Sequence, residues 1–256
     1  MKVTVCELNP DPRYIEQDWD RLVAHIRANE SRLVLLPEMI FSSWFAESPD
    51  FDQETWQEAI DANKSWERRL WGLQPALVLG TRPINKGEKR MNEAYVWSAE
   101  SGFRPVHAKS YLPDEEGFWE ASWYQRGDGE FNLIETRGIL IGFMICTELW
   151  FFEQARAYGK RRAHLIACPR ATPKETLDKW LAGGRAAAVV SGAYCLSSNR
   201  VSHKEGRLAM GGQGWIVGPD GEILGVTSRE QPFVTVDIDT EKADRAKKTY
   251  PRYVKE

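Results

Sequence analysis

The sequence predicts an α/β fold built on mixed β-sheets. Three observations carry this. Short apolar, β-branched runs alternate with segments whose apolar residues recur at helical spacing. Extra strand pairs intervene between these alternating units. No Pro/Gly/Ser-rich linker and no internal repeat interrupts the 256 residues, so one domain over residues 1–256 is the simplest reading.

The elements follow in order. KVTVCEL alternates and is β-rich, so it reads as a first strand. From Tyr14 to Ala28, Trp19, Leu22, Val23 and Ile26 fall on one helical face. RLVLLPEM is a short apolar strand stopped by Pro37. Asp52 to Leu70 reads as a helix through Trp56, Ile60, Trp66 and Leu70. ALVLG, EAYVWS and FRPVHAK are strands, and FNLIET pairs with GILIGFMIC across Arg137-Gly138. A helix is expected from about Trp150 to Tyr158, then the strand HLIACP. Thr176 to Ser191 reads as a helix interrupted at Gly183-Gly184. AYCLSSNR is a strand, GWIVGPDGEILGV a hairpin around Pro219-Asp220-Gly221, and FVTVDID the last strand. The tail AKKTYPRYVKE is too polar to be core.

Composition narrows the function. The chain is 42% hydrophobic and 28% charged, ordinary for a globular protein, with a net charge of −3. No broad basic field is present to attract nucleic acid or an anionic membrane. No apolar run is long enough for a membrane helix, and MKVTVCELNP reads as a strand rather than a signal peptide, so a cytoplasmic home is expected. Cys6, Cys146, Cys168 and Cys195 lie far apart without a CxxC pair, which fits reduced thiols better than disulfides or a zinc site.

Three apolar runs end in reactive groups: RLVLLPE in Glu38, RPVHAK in Lys109 and GILIGFMIC in Cys146. Ligands of open α/β sheets sit at the carboxyl ends of strands. Each residue also has a plain reading: Cys146 as a buried thiol, Glu38 as a cap or loop acid, Lys109 as a surface charge. Together they make chemical sense. A thiol attacks as thiolate and needs a base or a nearby cation. A carboxylate can take the proton and return it to a leaving amine. An ammonium can stabilise the oxyanion. Among the histidines, His25 lies on a helix, His164 opens a strand and His203 sits in a Gly/Lys-rich loop. His107 shares a strand face with Lys109, so a Cys146/His107 dyad stays open.

These blocks resemble the nitrilase superfamily of carbon–nitrogen hydrolases from KVTVCELNP to VTVDID. LVLLPEM is similar to the family's segment carrying the general-base glutamate, Glu38. KSYLPDEEGFWEASWYQRGD is similar to its lysine block, with Lys109 as the oxyanion lysine and Glu120 as a second, supporting glutamate. GFMICTELWFFEQAR is similar to the nucleophile block, with Cys146 as nucleophile. LIACPRATP, YCLSSNR and GWIVGPDGEILG are similar to the later strands. An E-G-aromatic stretch in a related amidase branch keeps Glu116 as the alternative to Glu120, with Glu115 beside it. The resemblance implies a four-layer αββα sandwich with two mixed sheets, no metal and no organic cofactor. It also implies homodimers or larger assemblies through the Cys-side helices, with the tail near 241–256 in those contacts. Tyr111, Phe152 and Gly214 depart from the usual pattern, which bears on the pocket rather than on the reactive groups.

The Thr147 backbone N–H is the expected second oxyanion donor. Trp44, Trp119, Trp123, Tyr124 and Trp150 are the expected pocket walls, with core or interface packing as the alternative. Glu148 is read as a cap of the following helix, with binding of a substrate amine as the alternative. Arg170 is read as a partner for a substrate carboxylate or as an exposed cation. The lysine and nucleophile blocks resemble the N-carbamoylputrescine amidase and carbamoyl-amino-acid branches. The expected substrate is therefore a small linear amide or N-carbamoyl compound. Nitrile hydrolysis at the same site, a non-catalytic scaffold and a thiol redox protein are the alternatives.

Overall fold

The computed structural model describes residues 1–202 and 208–254; His203 lies outside the described residues. The strands are β1 (Lys2–Leu8), β2 (Leu33–Leu35), β3 (Leu77–Lys86), β4 (Lys89–Ser98), β5 (Gly102–Ala108), β6 (Leu133–Thr136), β7 (Ile139–Phe143), β8 (Leu165–Arg170), β9 (Tyr194–Arg200), β10 (Trp215–Val217), β11 (Ile223–Val226) and β12 (Phe233–Asp237). The helices are α1 (Ile15–Ala28), α2 (Gln53–Leu70), α3 (Glu120–Trp123), α4 (Phe152–Lys160), α5 (Leu177–Ser191) and α6 (Thr240–Ala246).

The strands form two mixed sheets that join at one point. The first runs β5-β4-β3-β2-β1-β12 and the second β6-β7-β8-β9-β10-β11. β1 crosses between them. Its Val3–Val5 pair in parallel with Leu33–Leu35, while Glu7 and Leu8 pair with Asn199 and Arg200 of β9. Side-chain alternation explains the layering. Val3, Val5, Leu33, Leu35, Leu77, Leu79, Ala94 and Val96 share one core with Ile141, Phe143, Leu165 and Ala167 of the second sheet. The alternate residues Cys6, Leu8, Val34, Val78, Tyr95 and Trp97 pack under Trp19, Leu22 and Ile26 of α1. Ala155 and Tyr158 of α4, with Trp180, Ala187 and Ala188 of α5, cover the second sheet. The layers are thus α, β, β, α, as the family resemblance implies.

Several local expectations change. β3 and β4 run on into one long hairpin, turning at Gly87 with φ +62°, because the polar stretch Arg82–Lys89 continues the ladder. β7 stops at Phe143, so Cys146 lies beyond the strand and opens a 3₁₀ turn, Cys146–Trp150; α4 begins only at Phe152. α5 is unbroken at Gly183-Gly184. A Cβ on Gly184 would sit 2.2 Å from the Trp215 ring, so close packing rather than a break accounts for the glycine. The tail includes α6, capped by the Asp239 carboxylate on the Glu241 N–H; Ala243 and Ala246 are buried, while Tyr250 and Tyr253 are exposed. Among the described residues no helix is long and apolar enough to cross a membrane.

Candidate active site

Each reactive group stands just past the end of a strand, held by backbone bonds. Pro37 has no N–H for the ladder, so β2 stops. The Glu38 N–H then donates to the Arg170 carbonyl at 3.2 Å, and the Met39 N–H to Thr81 Oγ1 at 2.9 Å. Lys109 follows β5, donates its N–H to the Asn92 carbonyl at 2.9 Å and accepts from Gly127 at 2.9 Å. Cys146 takes φ +49°, the left-handed region that strains a residue with a side chain. That kink lifts the thiol off the line of β7.

The side chains converge from both sheets. Lys109 Nζ lies 2.8 Å from Glu38 Oε1 and 2.8 Å from Glu120 Oε1. One ammonium bridges two carboxylates, and all three groups are sealed from solvent. Burial by itself lowers a lysine, but Glu120 and Glu38 outweigh it and hold the ammonium above its ordinary range. Burial, with Glu38 adding to it against Lys109, pushes the Glu120 carboxyl up to about 7. The Cys146 thiol feels the same three charges. Burial first, then Glu38, raises it well above the ordinary thiol range, while Lys109 opposes. Glu38 Oε2 is buried and makes no hydrogen bond.

Of the three acids weighed for the supporting role, Glu120 is the one in contact with Lys109; Glu115 and Glu116 are exposed. The Tyr124 hydroxyl donates to Glu120 Oε2, so this residue holds an acid rather than simply walling a pocket. Trp123 packs against Phe45 and Phe51 and donates its indole N–H to the Ser48 carbonyl. Half-buried Trp119 donates its backbone N–H to the Ala46 carbonyl. Trp44 donates to the Gly117 carbonyl and, with Phe118, Glu116, Pro173, Arg200 and Met210, lines a cleft of about 1180 Å³. Trp150 leans on Trp180 of α5 and is 39% exposed, so its ring belongs to the surface of the second sheet's helix layer. Thr147 is half-buried within the 3₁₀ turn.

Three sequence readings need correction. Arg170 is not an exposed cation. It is fully buried between Trp180 and Trp215, and its guanidinium donates to Ser197, Thr172 and the Gln213 carbonyl. Its side chain is directed to its own chain, and what it offers Glu38 is its backbone carbonyl. His107 faces Glu148, with Nε2 at 2.8 Å from Oε1, rather than the thiol. Glu148 does not cap α4, whose N-terminus has no side-chain cap; it closes the 3₁₀ turn after β7 instead, accepting from the Ile145 N–H at 2.7 Å.

Sequence reasoning missed two residues. Asn92 donates to Glu38 Oε1 at 2.8 Å. Arg200, fully buried, holds the turn after Glu38 through the Met39 and Ser42 carbonyls; burial lowers it to about 10. Asn92 sits among the apolar residues of MNEAYVW, but Arg200 closes the polar run SSNR, whose complete burial no local pattern signals. Of the departures from the family pattern, Gly214 has a steric reason: a Cβ there would meet the Ser197 carbonyl oxygen at 2.9 Å. Tyr111 stacks on Phe151 with ring centroids 3.8 Å apart.

Comparison with known proteins agrees with this frame. An N-carbamoylputrescine amidase of Arabidopsis thaliana is 25% identical over 250 residues, covering 88% of this chain and 82% of the relative. A chloroplastic omega-amidase of the same plant is 24% identical over 253 residues, covering 93% of this chain and 67% of the relative. Among solved structures, a carbon-nitrogen hydrolase from Helicobacter pylori G27 superimposes with a TM-score of 0.87 at 20% identity, covering 99% of this chain and 94% of that one. A mutant amidase from Nesterenkonia sp. AN1, described as showing Michael addition of acrylamide at the active site cysteine, gives 0.76 at 21% identity and 95% coverage of each chain. The family model for carbon-nitrogen hydrolases matches residues 2–248, nearly the full length, and the chain belongs to that family.

Proposed function

We propose that the protein hydrolyses a small linear amide or N-carbamoyl compound through a thioester on Cys146, with release of ammonia. The observation that carries this is the buried Glu38–Lys109–Glu120 cluster, whose charges all act on the Cys146 thiol. The N-carbamoylputrescine amidase and omega-amidase relatives favour amide and ureido carbons over nitriles.

Because burial keeps the resting thiol protonated, the nucleophile forms as it attacks. Glu38 takes the thiol proton while sulfur bonds to the carbonyl carbon and the C=O electron pair moves to oxygen. Lys109 Nζ and the Thr147 N–H receive that oxyanion. The tetrahedral carbon collapses, the C–N bond breaks, and Glu38 returns the proton to the departing nitrogen. Glu38 then deprotonates a water that attacks the thioester, and the sulfur leaves and is reprotonated. Glu120 holds Lys109 in place between the two carboxylates, with Tyr124 behind it. Four unpaired, buried cysteines fit a cytoplasmic home. Self-association through the Cys-side helices is supported by the partly exposed Trp150, and light scattering measures it.

The test is a panel of small amides, ureido acids and nitriles assayed for ammonia, wild type against Cys146→Ser. Turnover confined to wild type is expected, with a covalent acyl adduct on Cys146 in the mass spectrum. Equal turnover by the two proteins overturns the proposal.

A further inference from the structure

One buried ion pair takes no part in these steps. Glu148 Oε1 accepts from the Ser110 N–H at 2.7 Å, and its Oε2 accepts from the Ile145 N–H at 2.7 Å. Ser110 follows Lys109, and Ile145 precedes Cys146. A single carboxylate therefore grips the chain beside the ammonium and beside the thiol, across the two sheets. His107 Nε2 lies 2.8 and 2.9 Å from its two oxygens, while His107 Nδ1 lies 3.1 Å from the Glu130 carbonyl. Both side chains are fully buried.

The hydrogen-bond chemistry fixes the protons. A carbonyl only accepts, so Nδ1 bears one. Nε2 is shared almost equally between the two Glu148 oxygens, at 2.8 and 2.9 Å, the geometry of an N–H donated to a carboxylate rather than of one O–H donated to a ring nitrogen. The ring is an imidazolium.

We propose that His107, as a buried imidazolium, is a positioning residue: it keeps Glu148 charged and so fixes Lys109 relative to Cys146. The roles of Lys109 and Cys146 rest on the function proposed above. The groups facing the ring are Glu148 and Asp128, and Arg126, Lys86, Lys89 and Glu93 line a cleft of about 370 Å³ with it. Burial alone lowers the imidazole, but the Glu148 charge and hydrogen bond outweigh it and hold the ring above its ordinary value of 6.5. The clamp is therefore intact below that elevated value and is lost as pH rises through it.

The first test needs no variant and no substrate. Nitrogen-15 NMR of histidine-labelled wild type should show one buried ring with both nitrogens protonated at neutral pH, absent from His107→Gln. A neutral ring overturns the proposal. The second test follows iodoacetamide labelling of Cys146 by mass spectrometry against pH. Wild type should show an inflection above the ordinary imidazole range, which His107→Gln lacks. On any substrate turned over, kcat per labelled thiol should fall about tenfold to a hundredfold in His107→Gln, with KM within about threefold. Glu148→Asp, which keeps the charge facing His107, should lose less kcat than Glu148→Gln, which removes it. An unchanged labelling profile in folded His107→Gln overturns the positioning role, whereas failure of the ammonia panel with the NMR signature present overturns only the function proposed above.

Discussion

Lys109 carries one positive charge between two carboxylates, and water reaches none of the three. Removing the cation leaves Glu38 and Glu120 buried and mutually repelling. Lys109→Met should therefore cost about 3–5 kcal/mol in urea denaturation, the usual scale for breaking a buried pair from one side. Its turnover should fall about a hundredfold or more, the typical loss for an oxyanion donor. Glu120 gives a pH test. Its folded value of about 7 lies above its ordinary 4.5, so the folded state holds the proton longer than the unfolded chain. The stability it contributes is present below 4.5 and is lost as pH rises through about 7. Glu120→Gln lacks this loss. Its melting temperature should gain on wild type between about pH 5 and 8.

At the scale of elements, most strands and the helices α1 and α2 were legible because one face of each is buried and its apolar residues repeat with the element's own period. The misreadings share a cause: a neighbour far along the chain overrides local preference. Gly183-Gly184 looks like a helix break, yet α5 runs through it because the Trp215 ring lies against Gly184. Gly184→Ala should thus destabilise by about 1–3 kcal/mol despite its better helix propensity, as overpacking does. Gly183→Ala should cost less, since its Cβ would meet the partly exposed Trp150 ring at 3.0 Å and that ring can shift. Chemical denaturation of both variants checks the order. The turn at Cys146 was likewise hidden: GFMIC reads as continuous strand, and only the positive φ reveals where it ends.

Across the whole molecule, the two sheets share one apolar core and β1 belongs to both. A single domain over residues 1–256 should therefore unfold in one cooperative transition, with tryptophan fluorescence and far-UV circular dichroism coinciding; two separate transitions would divide the chain. The sequence by itself determined the α/β class, the strands that lead to Glu38, Lys109 and Cys146, and the family resemblance. It did so because periodicity and motif spacing are written along the chain. Only the tertiary structure decided that Glu120 and not Glu116 touches Lys109, that His107 answers to Glu148, and that Asn92 and Arg200 brace Glu38 and the turn beyond it. A buried charge takes its partner from strand order and sheet packing, which bring together residues as far apart as Met39 and Arg200, and no local pattern encodes that meeting.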